Sequence, residues 1–154
     1  MTHSQNRLRA PFEWGGWEIH TPGGAVLFVI ADGVDLEADP RVFRSVRRSP
    51  ERLEEFWVAS IAARDAARLF STEERGPYER PPSTSEPWIV RDPIPRWRVQ
   101  LMDGTSLEIA ADTYRTIGEW CEFTFGVDDG SRGWDEPVLL VRSKWFSSAT
   151  VLTT

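Results

Sequence analysis

A short hydrophobic and polar alternation near the N-terminus predicts a β-hairpin. Residues 17–30 form two strand-like runs around the turn residues Thr21-Pro22-Gly23-Gly24. A four-residue loop at that point would place Trp17 opposite Phe28. Both side chains are large and apolar, so this register would give the hairpin one consistent apolar face.

The apolar pattern changes to helical spacing after this hairpin. Residues 39–71 divide at Ser49 and Pro50, which fit the N-cap and first position of a second helix. An apolar stripe with steps of three and four residues runs along that helix: Phe56, Ala59, Ala63, Ala66 and Phe70. We therefore predict two helices, the second with a core-facing stripe.

The second half of the chain has a β pattern and begins after a proline-rich segment. Residues 76–96 contain six prolines, which favour an extended connection. A hairpin with a three-residue loop, Met102-Asp103-Gly104, would pair Trp97 with Ile109 and give Gly104 a positive φ. Further strands are predicted at about 118–125 and 138–142, and the end of the chain is a final strand or a packed tail.

Together these elements predict an α+β fold. The expected architecture is an N-terminal β-hairpin and two helices packed on a C-terminal antiparallel β-meander of four to five strands. Residues 1–12 are polar and aperiodic, and we expect a flexible tail there. Residues 13–154 are expected to form a single domain, because two strands and two helices alone would be marginal.

Composition narrows the class of protein further. The chain has 154 residues and a formal net charge of −6, which argues against general nucleic-acid binding. No apolar run is long enough to span a bilayer, and the N-terminus lacks the apolar core of a secretion signal. The single cysteine suits a reducing compartment, so we expect a cytoplasmic protein.

That cysteine is the first place to look for chemistry. In a strand Cys121 would share its face with Phe123 and Phe125, and Trp120 would share the opposite face with Glu122. A thiol on an apolar face has a raised pKa and no adjacent base, so we expect Cys121 to be a small core residue. Trp120 is then either covered by a helix or presented to a partner.

If Trp120 is exposed, it would be the centre of an acidic, aromatic patch. The chain carries eight tryptophans, a residue type that anchors many interfaces. The predicted patch consists of Trp120, Glu122, Trp134, Asp135 and Glu136. Such a surface would suit a protein partner with a basic surface.

Two other clusters are weaker candidates. Arg41, Arg44 and Arg48 would share one face of the first predicted helix. That face is either an oxyanion site or an ordinary solvated surface. Asp32 and Asp35 follow a buried strand. The segment that contains them is either part of a site or a turn in which Asp39 caps the helix.

No cofactor or metal is expected. The acidic loop at 127–137 departs from calcium-loop spacing, and the two histidines with one cysteine are too few for a transition-metal site. No glycine-rich phosphate loop is present.

The sequence therefore predicts a non-enzymatic protein-binding module of the accessory, inhibitor or immunity type, and no motif identifies a family. The alternative is a ligand-binding or enzymatic α+β domain with a Trp-lined pocket between helix and sheet. A self-associating structural component, such as a homodimer, is a third hypothesis.

Overall fold

The fold is built almost entirely from β-strands. A computed structural model describes residues 16–48, 53–71, 89–90, 94–128 and 133–152. The strands are β1 (Trp17–His20), β2 (Val26–Val29), β3 (Gly33–Asp35), β4 (Arg41–Arg48), β5 (Leu53–Ile61), β6 (Arg68–Ser71), β7 (Ile89–Val90), β8 (Arg96–Leu101), β9 (Ser106–Ala110), β10 (Thr113–Ile117), β11 (Trp120–Asp128), β12 (Gly133–Arg142) and β13 (Phe146–Leu152). The only helical turns in those ranges are 3₁₀ turns at Ala63–Asp65 and Ser143–Trp145. The predicted α+β class is therefore wrong.

The strands form two antiparallel sheets. Sheet A has the order β10-β11-β12-β2-β1-β6, and β7 pairs with the far end of β11. Sheet B has the order β13-β8-β9-β5-β4-β3. The two sheets share one hydrophobic core, to which sheet A contributes Leu27 and Leu139 and sheet B contributes Val99 and Ile109. This arrangement buries one face of each sheet in the shared core and turns the opposite face of each away from it.

The segments predicted as helices are strands β4, β5 and β6. Strand β5 pairs with β4 on one side and with β9 on the other, so its backbone bonds are made between strands. Of the apolar stripe, Ala59 is buried in the core, whereas Ala63 lies in the 3₁₀ turn that follows β5. The stripe arose because alanines happen to fall at helical spacing, and pairing within the sheet overrides that local preference.

The hairpin of β8 and β9 has the predicted register. Trp97 lies opposite Ile109 and Val99 opposite Leu107. Gly104 has a φ of +93°, and the Leu101 N–H donates to the Thr105 carbonyl at 2.8 Å. The predicted three-residue loop is confirmed.

The first hairpin exists, but its predicted register is wrong by one residue. Trp17 lies opposite Val29 and Glu18 opposite Phe28. The loop is one residue shorter than predicted, because the Thr21 N–H donates to the Ala25 carbonyl at 2.9 Å and leaves only Pro22, Gly23 and Gly24 between these two residues. Phe28 therefore lies on the outer face of sheet A instead of facing Trp17.

The last strands follow the prediction more closely. Strand β11 contains the predicted run at 118–125 except for its first two residues, β12 includes the run at 138–142, and the end of the chain forms β13. Strand β10 was not predicted. The predicted tail at 1–12 lies outside the described residues, as does most of the proline-rich segment at 76–96. No helix among the described residues is long and apolar enough to cross a membrane.

Candidate functional site

The two faces of β11 differ sharply in chemistry. Cys121 lies opposite Val141 and is 1% exposed, in the same core as Phe123 and Phe125. Burial, together with the charge of Glu122, raises the pKa of the Cys121 thiol to about 11. The thiol is therefore protonated near neutral pH, and the prediction of an inward-facing core cysteine is confirmed.

The opposite face of β11 belongs to the side of sheet A that is turned away from the shared core. This side is not open throughout, because Glu122 is 5% exposed and Leu140 is 1% exposed. Cross-strand pairing sets one row of side chains across six strands of sheet A: Arg115, Glu122, Leu140, Phe28, Glu18 and Phe70. The row beside it contains Trp120, Arg142, His20 and Arg68. We call these two rows the sheet A outer face. Both aromatic and charged side chains lie on it.

Trp120 is held in place on this face by two neighbours. It is half-buried, and the Arg142 guanidinium carbon lies 4.8 Å from the centre of its ring. The Phe28 ring packs on it with a centroid distance of 5.8 Å. Arg142 is itself positioned by Glu119, since its Nη1 donates to Glu119 Oε1 at 2.9 Å. The indole is therefore partly exposed and is contacted by both Phe28 and Arg142.

Glu122 is a buried carboxylate beneath an exposed guanidinium. Its side chain is 7% exposed, and Arg115 Nε donates to its Oε1 at 2.9 Å. Burial raises the pKa of Glu122, with a further contribution from the charge of Asp135, while Arg115 acts in the opposite direction. Because the Arg115 side chain is 62% exposed, Glu122 fixes a cation at the surface instead of presenting its own charge.

A second cluster occupies the other end of the same face. His20 Nε2 lies 2.6 Å from Glu18 Oε2, and the His20 ring meets Phe70 edge-on at 5.4 Å. The Arg68 guanidinium carbon lies 5.1 Å from the centre of the Phe70 ring. Phe28, Phe70 and the arginines of this face were missed at the sequence level. Correct strand assignment for residues 68–71 would have revealed their shared direction.

The structure brings together only part of the predicted acidic patch. Trp120 and Glu122 share the sheet A outer face, and Asp135 is exposed on β12. Glu136 is 4% exposed, so its carboxylate is not a surface group. The backbone of Trp134 pairs with Val127, and the Trp134 side chain lies outside what the structure describes.

The three arginines predicted to share a helical face lie on strand β4 instead. Arg41 and Arg44 are three residues apart, so their side chains leave opposite faces of the strand. Arg41 Nη1 donates to the Ala38 carbonyl at 2.9 Å, and Arg44 is exposed. The side chain of Arg48 lies outside the described residues. The predicted shared face is therefore wrong.

Asp32 lies in a bend before strand β3, and Asp35 is the last residue of that strand. Both residues are exposed, and Asp35 Oδ1 accepts the Glu37 N–H at 3.0 Å. Asp39 does not cap a helix at Pro40: its Oδ1 accepts the N–H of Ala63, at the start of the 3₁₀ turn. Within the described ranges no group of three Asp, Glu, His or Cys side chains is arranged to hold a metal ion.

No protein-family model matches the chain, and no curated protein or solved structure matches it either.

Proposed function

We propose that this protein is a non-enzymatic protein-binding module of the accessory, inhibitor or immunity type, and that its partner docks on the sheet A outer face. The observation that carries the proposal is Trp120, half-buried between Phe28 and the Arg142 guanidinium. Tryptophan and arginine are the residue types most enriched among energetically dominant interface residues. An indole already restrained before binding loses little conformational entropy on docking.

The charges around Trp120 favour a partner that offers carboxylates. Arg115 and Arg142 are 62% and 43% exposed at their side chains, whereas the Glu122 side chain is 7% exposed. Glu119 is 83% exposed, but it is paired with Arg142. An acidic group on the partner could therefore bind Arg115 or displace Glu119 from Arg142. The sequence predicted a basic partner because the patch contains Glu122, Asp135 and Glu136. Of these three carboxylates, only Asp135 is exposed.

The hypothesis of a Trp-lined pocket between helix and sheet has less support. The described residues contain no α-helix that could form one wall of such a pocket. The single cysteine is buried and protonated, and the imidazole of His20 lies on the outer side of sheet A, held by Glu18. These features favour binding through a surface.

A pair of matched variants tests the proposed surface. Trp57 on sheet B also has a guanidinium stacked on it, with the Arg96 Cζ at 3.9 Å from the ring centre. Trp57→Ala therefore controls for the loss of an Arg–Trp stack elsewhere in the molecule. The partner would first be captured from the host with the wild-type protein, and binding of each purified variant would then be measured by calorimetry.

We expect Trp120→Ala to weaken binding about 30-fold or more, the effect typical of a dominant interface residue, and Trp57→Ala to leave binding unchanged. Circular dichroism spectra of both variants should match the wild type. Equal binding by folded Trp120→Ala would place the contact elsewhere. Turnover of a substrate by the wild-type protein would contradict the non-enzymatic assignment.

A further inference from the structure

Strand β13 forms an open edge of sheet B. It pairs with β8 along its length, from Phe146 to Leu152, and no other described strand pairs with it. Most of its residues are exposed, including Ser148, Thr150 and Val151. The N–H and C=O groups on its free side can therefore accept another strand.

The other described sheet edges carry features that discourage strand addition. The edge strands of sheet A, β10 and β6, carry the exposed arginines Arg115 and Arg68. The opposite edge of sheet B, β3, is only three residues long and ends in Asp35. Strand β13 is seven residues long and contains no charged residue and no proline. A β-bulge between Phe146 and Ser148 interrupts its start, and the remainder, from Ser148 to Leu152, pairs regularly with β8 and lacks the usual protection of an edge strand.

Apolar side chains are exposed beside this edge. Val151 lies opposite Trp97 and so points toward the space between the sheets, yet it is 51% exposed. Tyr114, on the neighbouring edge of sheet A, is 37% exposed, and its ring lies 5.6 Å from that of Phe146. These are two of the four large exposed hydrophobic residues among those described. A strand added to β13 would cover Val151.

We propose that β13 pairs with β13 of a second copy, antiparallel about a two-fold axis, so that sheet B continues through both molecules. Each copy has a net charge of −6, so a contact between copies is favoured where carboxylates are absent. Strands β13 and β8 contain no Asp or Glu. With Thr150 on the axis, Val151 would lie opposite the partner's Ala149, and both would face inward. The same uncharged strand on both sides makes the contact self-complementary.

The mass in solution tests this proposal directly. We expect light scattering coupled to size exclusion to give twice 17.6 kDa for the wild type at high concentration. Thr150→Lys would set two like charges opposite each other on the axis, and Val151→Lys would put a charge at the apolar seam. Each change should raise the dimer dissociation constant at least about tenfold. Circular dichroism shows whether each variant is folded, and either folded variant suffices for the test.

Thr113→Lys is the matched control, since Thr113 is an exposed threonine on the edge strand β10. It should leave the dimer intact. A wild-type protein that stays monomeric, or a dimer that survives both β13 substitutions, would overturn the proposal. The proposal is independent of the proposed function, because Trp120→Ala should leave the mass unchanged and Val151→Lys should leave the sheet A outer face intact.

Discussion

At the scale of single residues, Glu122 links the candidate surface to the pH dependence of folding. Its carboxylate is buried, and burial raises its pKa above the ordinary value of 4.5. As pH rises from that value, the unfolded chain releases this proton before the folded chain does. The ionised side chain therefore lowers the free energy of unfolding, an effect that grows up to the folded-state pKa and then stays constant.

Replacing the carboxylate with an amide should remove this effect. We expect Glu122→Gln to gain stability relative to the wild type as pH rises through this window, because the amide oxygen can still accept from Arg115 without a buried charge. Urea unfolding between about pH 4 and pH 8 measures the difference. Glu119→Gln is the control for removing a carboxylate from a solvated side chain, because Glu119 is 83% exposed. A stability difference for Glu122→Gln that does not change with pH would show that the pKa of Glu122 is not raised by folding.

At the scale of elements, the β1–β2 turn is joined to the β8–β9 turn of the other sheet. The Thr21 hydroxyl donates to Asp103 Oδ2 at 2.5 Å, and Asp103 Oδ1 accepts the Thr105 N–H at 2.9 Å. Partial burial opposes ionisation of Asp103, but these hydrogen bonds together keep its pKa below the ordinary value. Gly23 lies so close that a Cβ there would fall 2.5 Å from Asp103 Cβ. The contact therefore needs glycine for its lack of a side chain.

Gly23→Ala should therefore lower the free energy of unfolding by about 1–3 kcal/mol, the usual cost of an inserted methyl group in a packed contact. Gly33→Ala is the control, because nothing lies within 4 Å of its added Cβ and its φ is not in the positive range. That change should be neutral or should stabilise by about 0.4–1 kcal/mol through the unfolded chain. Urea unfolding of both variants measures the contrast. Equal stability of the two would show that the turns do not touch in solution.

The elements also differ in how well the sequence predicted their type and register. The β8–β9 register followed from apolar matching and one glycine, because both act within a few residues. The β1–β2 register failed because the turn closes between Thr21 and Ala25 and is one residue shorter than predicted. The Thr21 hydroxyl also accepts the Ala25 N–H there, a contact that residue counting does not reveal. Strands β4 to β6 failed because β5 is stabilised by pairing with β9, far away in sequence, while local alanine spacing favours a helix.

The candidate site was also predictable from sequence only in part. Strand alternation correctly separated Cys121 from Trp120, since that rule needs only the strand itself. It did not reveal that Glu122 is buried beneath Arg115, or that Phe28 packs on Trp120. Those contacts depend on which strands are neighbours in sheet A. A surface assembled across six strands is therefore visible only once the strand order is known.

At the scale of the whole molecule, the reactivity of the Cys121 thiol reports on the separation of sheets A and B. It is 1% exposed in a core to which both sheets contribute, and its pKa is raised to about 11. Reagents should reach it only when the sheets separate or the chain unfolds.

We expect labelling of Cys121 by a disulfide reagent to be about 1,000-fold slower in buffer than in concentrated urea, in line with the folded-to-unfolded ratio of a small domain. The logarithm of the labelling rate should rise with urea in parallel with global unfolding. Ser143→Cys adds an exposed thiol as an internal control and should show one fast and one slow phase. Fast labelling of native Cys121 would show that β11 turns its other face to the core, and Trp120 would then point away from the sheet A outer face.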